Sequence, residues 1–283
     1  MTSRQWKLAR RALAYGEHTL VMGVLNVTPD SFSDGGQFFS FDQAVARGEQ
    51  MMAEGADIID IGGESTRPGS DSVSELEELR RVDPIIQQLA GTIPISIDTT
   101  KSQVARAALA AGAEIVNDIS GLRFDPSLAD EVARAKAGLV LMHSRGTPKN
   151  MQQLPPAENI MSEVIEGLRQ SFAVAQQRGV APESIALDPG IGFGKTVAQN
   201  VELIAGLDQI ADAFPDGPIM IGTSRKSFIG KLLDNAPAGE RLYGTLASTV
   251  AAVLKGAHIV RVHDVKAAVE AVRIADAVRS SNA

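Results

Sequence analysis

The sequence predicts an α/β protein, a (β/α)8 TIM barrel preceded by a short N-terminal β-hairpin. Three observations lead there. Short aliphatic runs alternate eight times with Ala-, Glu-, Gln- and Arg-rich stretches of helical period. Many of those stretches close on a glycine just before the next aliphatic run, as in Glu54-Gly55-Ala56, Ala111-Gly112-Ala113, Arg178-Gly179-Val180 and Lys255-Gly256-Ala257. Eight such units occupy the 283 residues with no Gly/Ser/Pro linker dividing them. An open doubly wound sheet shares this alternation, so strand number alone leaves both architectures open. The expected division is an extension over 1–18 and one catalytic domain over 19–283.

The first sixteen residues carry Arg4, Lys7, Arg10 and Arg11 and no acidic residue. Trp6 to Ala14 alternates polar and apolar, and Tyr15-Gly16-Glu17-His18 reads as a turn into the first long strand, which favours a hairpin over an Arg-rich, acid-poor targeting segment. Strands are expected near 20–26, 57–62, 94–98, 114–119, 138–143, 185–189, 218–223 and 258–263. Helices are expected near 41–55, 74–90, 101–111, 127–136, 158–178, 197–213, 225–233 with 241–255, and 265–280.

Composition narrows the function. A formal charge of −7 argues against nonspecific nucleic-acid or membrane-surface binding and leaves a small ligand as the expected partner. The absence of cysteine excludes disulfides, zinc-thiolate sites and thiol catalysis, and it fits a cytoplasmic enzyme. No apolar run reaches the ~18 residues of a membrane span.

The strand ends carry the chemistry. They are Asn26; Asp60 with Gly62-Gly63-Glu64; Asp98; Asn117-Asp118; His143; Asp188; Thr223-Ser224 before Arg225-Lys226; and Arg261 with His263. In a parallel barrel these ends share one rim, so groups distant in sequence meet in one pocket. A lone Asp after a strand is often only the N-cap of the next helix, and Asp60 and Asp118 are open to that reading. Asp98 is followed by Thr99-Thr100, which are able to cap in its place.

Three loops after strands stand out by length or content. Residues 62–69, GGESTRPG, combine glycines with an arginine, as a mobile substrate cover or a solvated linker would. Residues 143–156 read only as polar loop. Thr223 to Ser227 offers hydroxyls, two cations and a helix start to an anion. Gly190 to Thr196 is a decoy, since Pro189 stands where a P-loop needs glycine; it reads as a glycine turn with Phe193 packing beside the pocket. The four histidines form no HExxH pair, and no GxSxG elbow is present.

Several blocks in order carry a resemblance: NVTPDSFSDGG from Asn26, DIGGESTRPG from Asp60, SIDTTK from Ser96, NDISG from Asn117, LDPGIGFGK from Leu187, GTSRKSFIG from Gly222 and RVHD from Arg261. Together they resemble the dihydropteroate synthases of folate biosynthesis, from Leu20 to the last helix. The resemblance implies a homodimeric barrel enzyme that condenses dihydropterin-CH2-diphosphate with 4-aminobenzoate, giving 7,8-dihydropteroate and diphosphate. It implies a pterin pocket at Asp98, Asn117, Asp188 and Lys226. It implies a diphosphate site at Asn26, Arg261 and His263, with Asn26 also meeting Mg2+. It implies aminobenzoate contacts from Thr66, Arg67, Pro68, Lys226 and Ser227, and a supporting role for Asp34. In the implied chemistry the C–O bond to diphosphate breaks early and the aniline nitrogen attacks the pterin cation.

Met142-His143-Ser144-Arg145-Gly146 departs from the family's usual MHMQG, which puts the flank of the pterin pocket in question. Two other readings compete. A methyltetrahydrofolate-type methyltransferase shares the barrel and the pterin acids but has no need of the STRPG and SRKS loops. A catalytically silent pterin-binding paralogue has no use for a leaving-group site.

Overall fold

The computed structural model describes residues 4–28, 41–65, 69–70, 72–151 and 153–281. The basic N-terminal stretch is the expected hairpin: β1 (Arg4–Lys7) pairs antiparallel with β2 (Ala12–Tyr15), Arg4 opposite Tyr15. Eight parallel strands follow: β3 (Leu20–Asn26), β4 (Ile58–Gly62), β5 (Ile95–Asp98), β6 (Ile115–Asp118), β7 (Gly138–Met142), β8 (Ile185–Asp188), β9 (Met220–Ile221) and β10 (Ile259–Val262). Their order around the sheet is β8-β7-β6-β5-β4-β3-β10-β9. A parallel bridge between Leu187 and Ile219 and a bond from Leu187 N–H to the Pro218 carbonyl at 3.0 Å bring β8 to β9, so the sheet curls into a nearly closed barrel. The open-sheet alternative is set aside by that contact.

Ten helices surround the barrel among the described residues: α1 (Phe41–Ala53), α2 (Glu75–Leu89), α3 (Ser102–Ala111), α4 (Leu128–Ala135), α5 (Ile160–Gln177), α6 (Val197–Ala205), α7 (Leu207–Ala213), α8 (Ser227–Leu232), α9 (Leu242–Leu254) and α10 (Val265–Ser281). Two expectations are corrected. The helix expected over 197–213 divides at Gly206 into α6 and α7. The strand expected over 218–223 keeps only two residues, because Pro218 has no N–H for the ladder and Gly222 follows at once. No described helix is long and apolar enough to cross a membrane.

The barrel interior changes character along its axis. At the N-terminal ends of the strands Leu20, Met22, Ile58, Ile115, Val140, Ala186, Met220 and Ile259 form one apolar cluster, and the hairpin plugs it with Trp6, Leu8 and Tyr15. Trp6 is fully buried and its indole N–H donates to the Ser184 carbonyl at 2.9 Å. Side chains alternate along a strand, so the residues two steps further on face the same interior. Those residues include Asp60 after Ile58, Asn117 after Ile115, Asp188 after Ala186 and Arg261 after Ile259. The same pleat that seals one end therefore aims polar groups at the other.

His258 sits beside the plug. Its Nδ1 accepts the Ile219 N–H at 3.1 Å and its ring meets Tyr15 edge-on, centroids 5.1 Å apart. Burial pushes its pKa down from 6.5 to about 4. The folded state thus binds this proton less readily than the unfolded chain, and stability is lost as pH falls from 6.5 towards 4. Against a His258→Asn variant, the wild type should lose on the order of 3 kcal/mol more across that window. Urea unfolding of both proteins at pH 7 and pH 4 checks this, and parallel losses would refute it.

Candidate active site

The site is assembled at the C-terminal ends of the strands, and its centre is an arginine. Arg261, on β10, donates from Nε to Asp60 Oδ2 on β4 at 2.6 Å and from Nη2 to Asp98 Oδ2 on β5 at 2.8 Å. Asp60 Oδ2 also accepts the Asn117 amide from β6 at 3.0 Å. Each carboxylate is thereby fixed through one oxygen. The others, Asp60 Oδ1 and Asp98 Oδ1, and the amide oxygen Asn117 Oδ1, are buried without a hydrogen-bond partner among the described residues. Three unpaired buried acceptors in one place are costly and point to a ligand that brings N–H donors.

Asp188 and Lys226 form the second half. Asp188 is buried and accepts the Gly190 N–H at 2.7 Å. The Lys226 ammonium donates to the Ile191 carbonyl and lies 4.8 Å from the centre of the Phe193 ring. Phe193 thus packs where the glycine turn was expected to put it. Burial pushes Lys226 down to about 8, with Asp188 opposing. Burial raises Asp188, with Lys226 the chief opposing charge. Burial also pushes Asp98 up to about 7, against the pull of Arg261.

Asn26 ends β3 beside these groups. A side chain at Gly62 would stand 3.5 Å from Asp98 Cβ and 3.7 Å from Asn26 Oδ1, so that glycine keeps the space between the two clear. His263 shares its Nδ1 with the Ser224 hydroxyl at 3.0 Å. Ser227 opens α8 and is exposed. Asp34, Thr66, Arg67 and Pro68 lie outside the described residues.

Some sequence expectations need correction. Of the groups expected to hold an anion after β9, Arg225 turns outward to Asp264 at 2.5 and 3.0 Å, and Thr223 meets Thr249 at 3.3 Å. Asp118 does not cap α4, whose N-cap is Ser127, and spends its carboxylate on its own loop, accepting the Ser120 and Leu122 N–H groups at 2.7 and 2.6 Å. Asp60 is fully buried in the barrel and was missed as a site residue. Its place two residues after inward-facing Ile58 was the available signal. Asp98 is free of capping duty, because Asp125, not Thr99 or Thr100, accepts the Ser102 N–H at 2.8 Å.

His143 leaves the rim and packs on Gly167 of α5, where a Cβ would meet its Cδ2 at 2.6 Å. Burial pushes its pKa down to about 2, so it is neutral. Arg145 points away from the barrel, to Glu163 at 2.8 Å and to the Pro155 and Gly194 carbonyls at 2.8 and 3.1 Å. It lines a cavity of about 580 Å3 against α5 that contains none of the strand-end carboxylates. A cavity of about 400 Å3 opens instead from Asp98 past Thr99 and Lys101 towards Thr147. Lys101 gathers the feet of the loop after β4, donating to Glu64, to Glu78 at 2.6 Å and to the Val73 carbonyl at 2.8 Å.

A family model described as pterin binding enzyme matches residues 22–263. The dihydropteroate synthase of Synechocystis is 49% identical over 265 residues, covering 93% of this chain and 91% of its own. The chain belongs to the dihydropteroate synthase family of pterin-binding enzymes. Family members are transferases, and so is this chain. Two solved family structures superpose closely. That of Xanthomonas albilineans dihydropteroate synthase with 4-aminobenzoic acid is 41% identical, has a TM-score of 0.90 and covers 99% of each chain. That of the Burkholderia cenocepacia enzyme with 7,8-dihydropteroate is 42% identical, has a TM-score of 0.88 and covers 100% of this chain and 99% of the other.

The geometry makes a direct forecast about protonation. In protein with 13C-labelled aspartate carboxyls, the Asp98 resonance should titrate near 7, and Arg261→Met should move that midpoint higher by removing the opposing cation. An Asp98 midpoint below 5 in the wild type would contradict it.

Proposed function

We propose that this chain condenses (7,8-dihydropterin-6-yl)methyl diphosphate with 4-aminobenzoate to give 7,8-dihydropteroate and diphosphate. The observation that carries this reading is the group of unpaired acceptors, Asp60 Oδ1, Asp98 Oδ1 and Asn117 Oδ1, buried around Arg261. A pterin edge presents amino and ring N–H donors beside a carbonyl, so Asp98, Asn117 and Asp188 read the donors and Lys226 or Arg261 the carbonyl. Hydrogen bonds to charged partners contribute ~1.5–3 kcal/mol each. An analogue without the donors leaves the carboxylates unpaired, which gives selectivity.

The C–O bond between the pterin methylene and diphosphate breaks first, its electron pair leaving with the diphosphate oxygen. The aniline nitrogen then attacks the methylene and loses a proton. Buried Asp188 and Asp98 favour the cationic pterin, and Arg261 and His263 at the rim favour the charge growing on the leaving group. No covalent enzyme intermediate is needed. Thr66, Arg67, Pro68, Lys226 and Ser227 hold the aminobenzoate, and Asp34 supports the cation.

Mg2+ is the proposed cofactor. Described residues contain no cluster of three His, Asp or Glu side chains for a protein-bound metal. A single amide oxygen, Asn26, stands at the rim instead, and that donor set fits an ion carried mainly by water and phosphate oxygens. Bound there, Mg2+ supplies charge neutralisation to the diphosphate.

A homodimer is proposed as well. Leu233, Tyr243 and Leu254, on or beside α8 and α9, are exposed, Tyr243 to 83%. Sedimentation should give a dimer that Tyr243→Lys with Leu233→Lys converts to monomer; a monomeric wild type would end that proposal.

The deciding assay is diphosphate release with and without 4-aminobenzoate and Mg2+. The expected result is Mg2+-dependent release with dihydropteroate as product. Lys226→Ala should weaken use of both substrates about 100-fold or more, whereas Arg261→Ala should slow turnover beyond its effect on binding a pterin that lacks diphosphate. Tight pterin binding without any release would instead favour the silent paralogue.

A further inference from the structure

Lys195 is a buried lysine that touches none of the strand-end carboxylates. It is 7% exposed, and its ammonium donates to three backbone carbonyls: Gly190 at 2.8 Å, His143 at 3.2 Å and Phe193 at 3.2 Å. Two of these belong to the glycine turn after β8 and the third to the residue just past β7. An ammonium has three donors, and here all of them are spent on joining one segment to the other.

The joint is close. At Gly190, with φ of +69°, a Cβ would come within 1.9 Å of the His143 carbonyl oxygen, and at Gly194 a Cβ would come within 2.6 Å of Arg145 Cβ. Asp188 Oδ1 takes the Gly190 N–H at 2.7 Å at the start of the turn. From α6, Asn200 Oδ1 takes the Gly192 N–H at 2.6 Å and its amide returns to the Thr196 carbonyl at 2.7 Å. The turn so fixed presents two groups to Lys226, the Ile191 carbonyl that accepts from its ammonium and the Phe193 ring beneath it.

We propose that Lys195 is a positioning residue: it clamps the 190–194 turn to the end of β7 so that Ile191 and Phe193 hold the Lys226 ammonium beside Asp188. This rests on the reading of Lys226 as a residue that meets substrate. Without the clamp, the His143 carbonyl loses its donor and the Gly190 and Phe193 carbonyls keep only the Phe193 and Arg145 N–H groups at 3.2 and 3.4 Å; the turn relaxes, and Lys226 follows its partners away from the pocket. A displacement near 1 Å in such a group costs about 100-fold in rate.

The chain has no cysteine, which permits a reversible test of the charge and the donor. Lys195→Cys, alkylated in denaturant with 2-bromoethylamine and refolded, carries a near-isosteric ammonium; the wild type taken through the same cycle is the control. 4-Fluorophenylalanine placed at 193 reports the turn by 19F NMR without any turnover. Lys195→Cys should shift or broaden the fluorine line and lower kcat/KM for both substrates about 100-fold, with aminoethylation restoring the line and most of the rate. An unchanged line and rate would overturn the proposal. So would a rate loss that only follows the folded fraction by circular dichroism and is not restored by aminoethylation. If Lys195→Cys does not refold, Lys195→Gln should still shift the line, and a line at the wild-type position would count against the clamp. A wild type that makes no dihydropteroate would refute the functional reading, while the fluorine line would still decide whether Lys195 sets the turn.

Discussion

The guanidinium of Arg261, shared between Asp60 and Asp98, is the interaction on which the upper half of this barrel depends. It joins β10 to β4 and β5 across the barrel interior, and the Asn117 amide extends the same network to β6. Removing one partner from a buried pair of this kind typically costs ~3–5 kcal/mol, because the charge left behind has no water. The network does not satisfy itself. Each carboxylate is bonded to Arg261 through one oxygen, and the oxygens left over are the acceptors around which the pocket is shaped. Structure and recognition therefore use the two halves of the same carboxylates.

Burial sets the protonation of this site as much as charge does. Asp98 is drawn towards neutrality by desolvation and back towards the carboxylate by Arg261, and Asp188 stands in the same relation to Lys226. Groups balanced in this way respond to a ligand that brings charge or donors, since small changes in their surroundings alter which form is favoured. At the opposite end of the barrel the hairpin and the strand starts meet in an apolar cluster with the Trp6 N–H and His258 Nδ1 both satisfied. That dry end holds the strands in register beneath the polar one.

Much of the fold and some of the site could be read along the chain. Strand and helix periods, glycine stops and polar strand ends are local features, and they marked the eight units and the strand ends among which Asn26, Asp98, Asn117, Asp188, Lys226, Arg261 and His263 stand; the roles expected of those residues came from the resemblance of the motif blocks. The strand-end rule could not tell Asp60 from Asp118. The first lies on the inward face of its strand, and the second turns back to its own loop as an acceptor for Ser120 and Leu122. It could not tell Lys226 from Arg225 either. Arg225 takes a φ of +57° and pairs with Asp264, so that one residue of chain separates a pocket lysine from a surface ion pair.

The amino-acid sequence by itself determined which segments become strands and helices, and that reactive side chains gather where strands end, because both depend on periods and caps only a few residues long. The tertiary structure alone decided which of those side chains meet. Arg261 finds Asp60 across 201 residues of chain, and Lys195 finds the His143 carbonyl across 52. Such pairings are set by the curl of the sheet and the packing of its turns, for which no local pattern stands in.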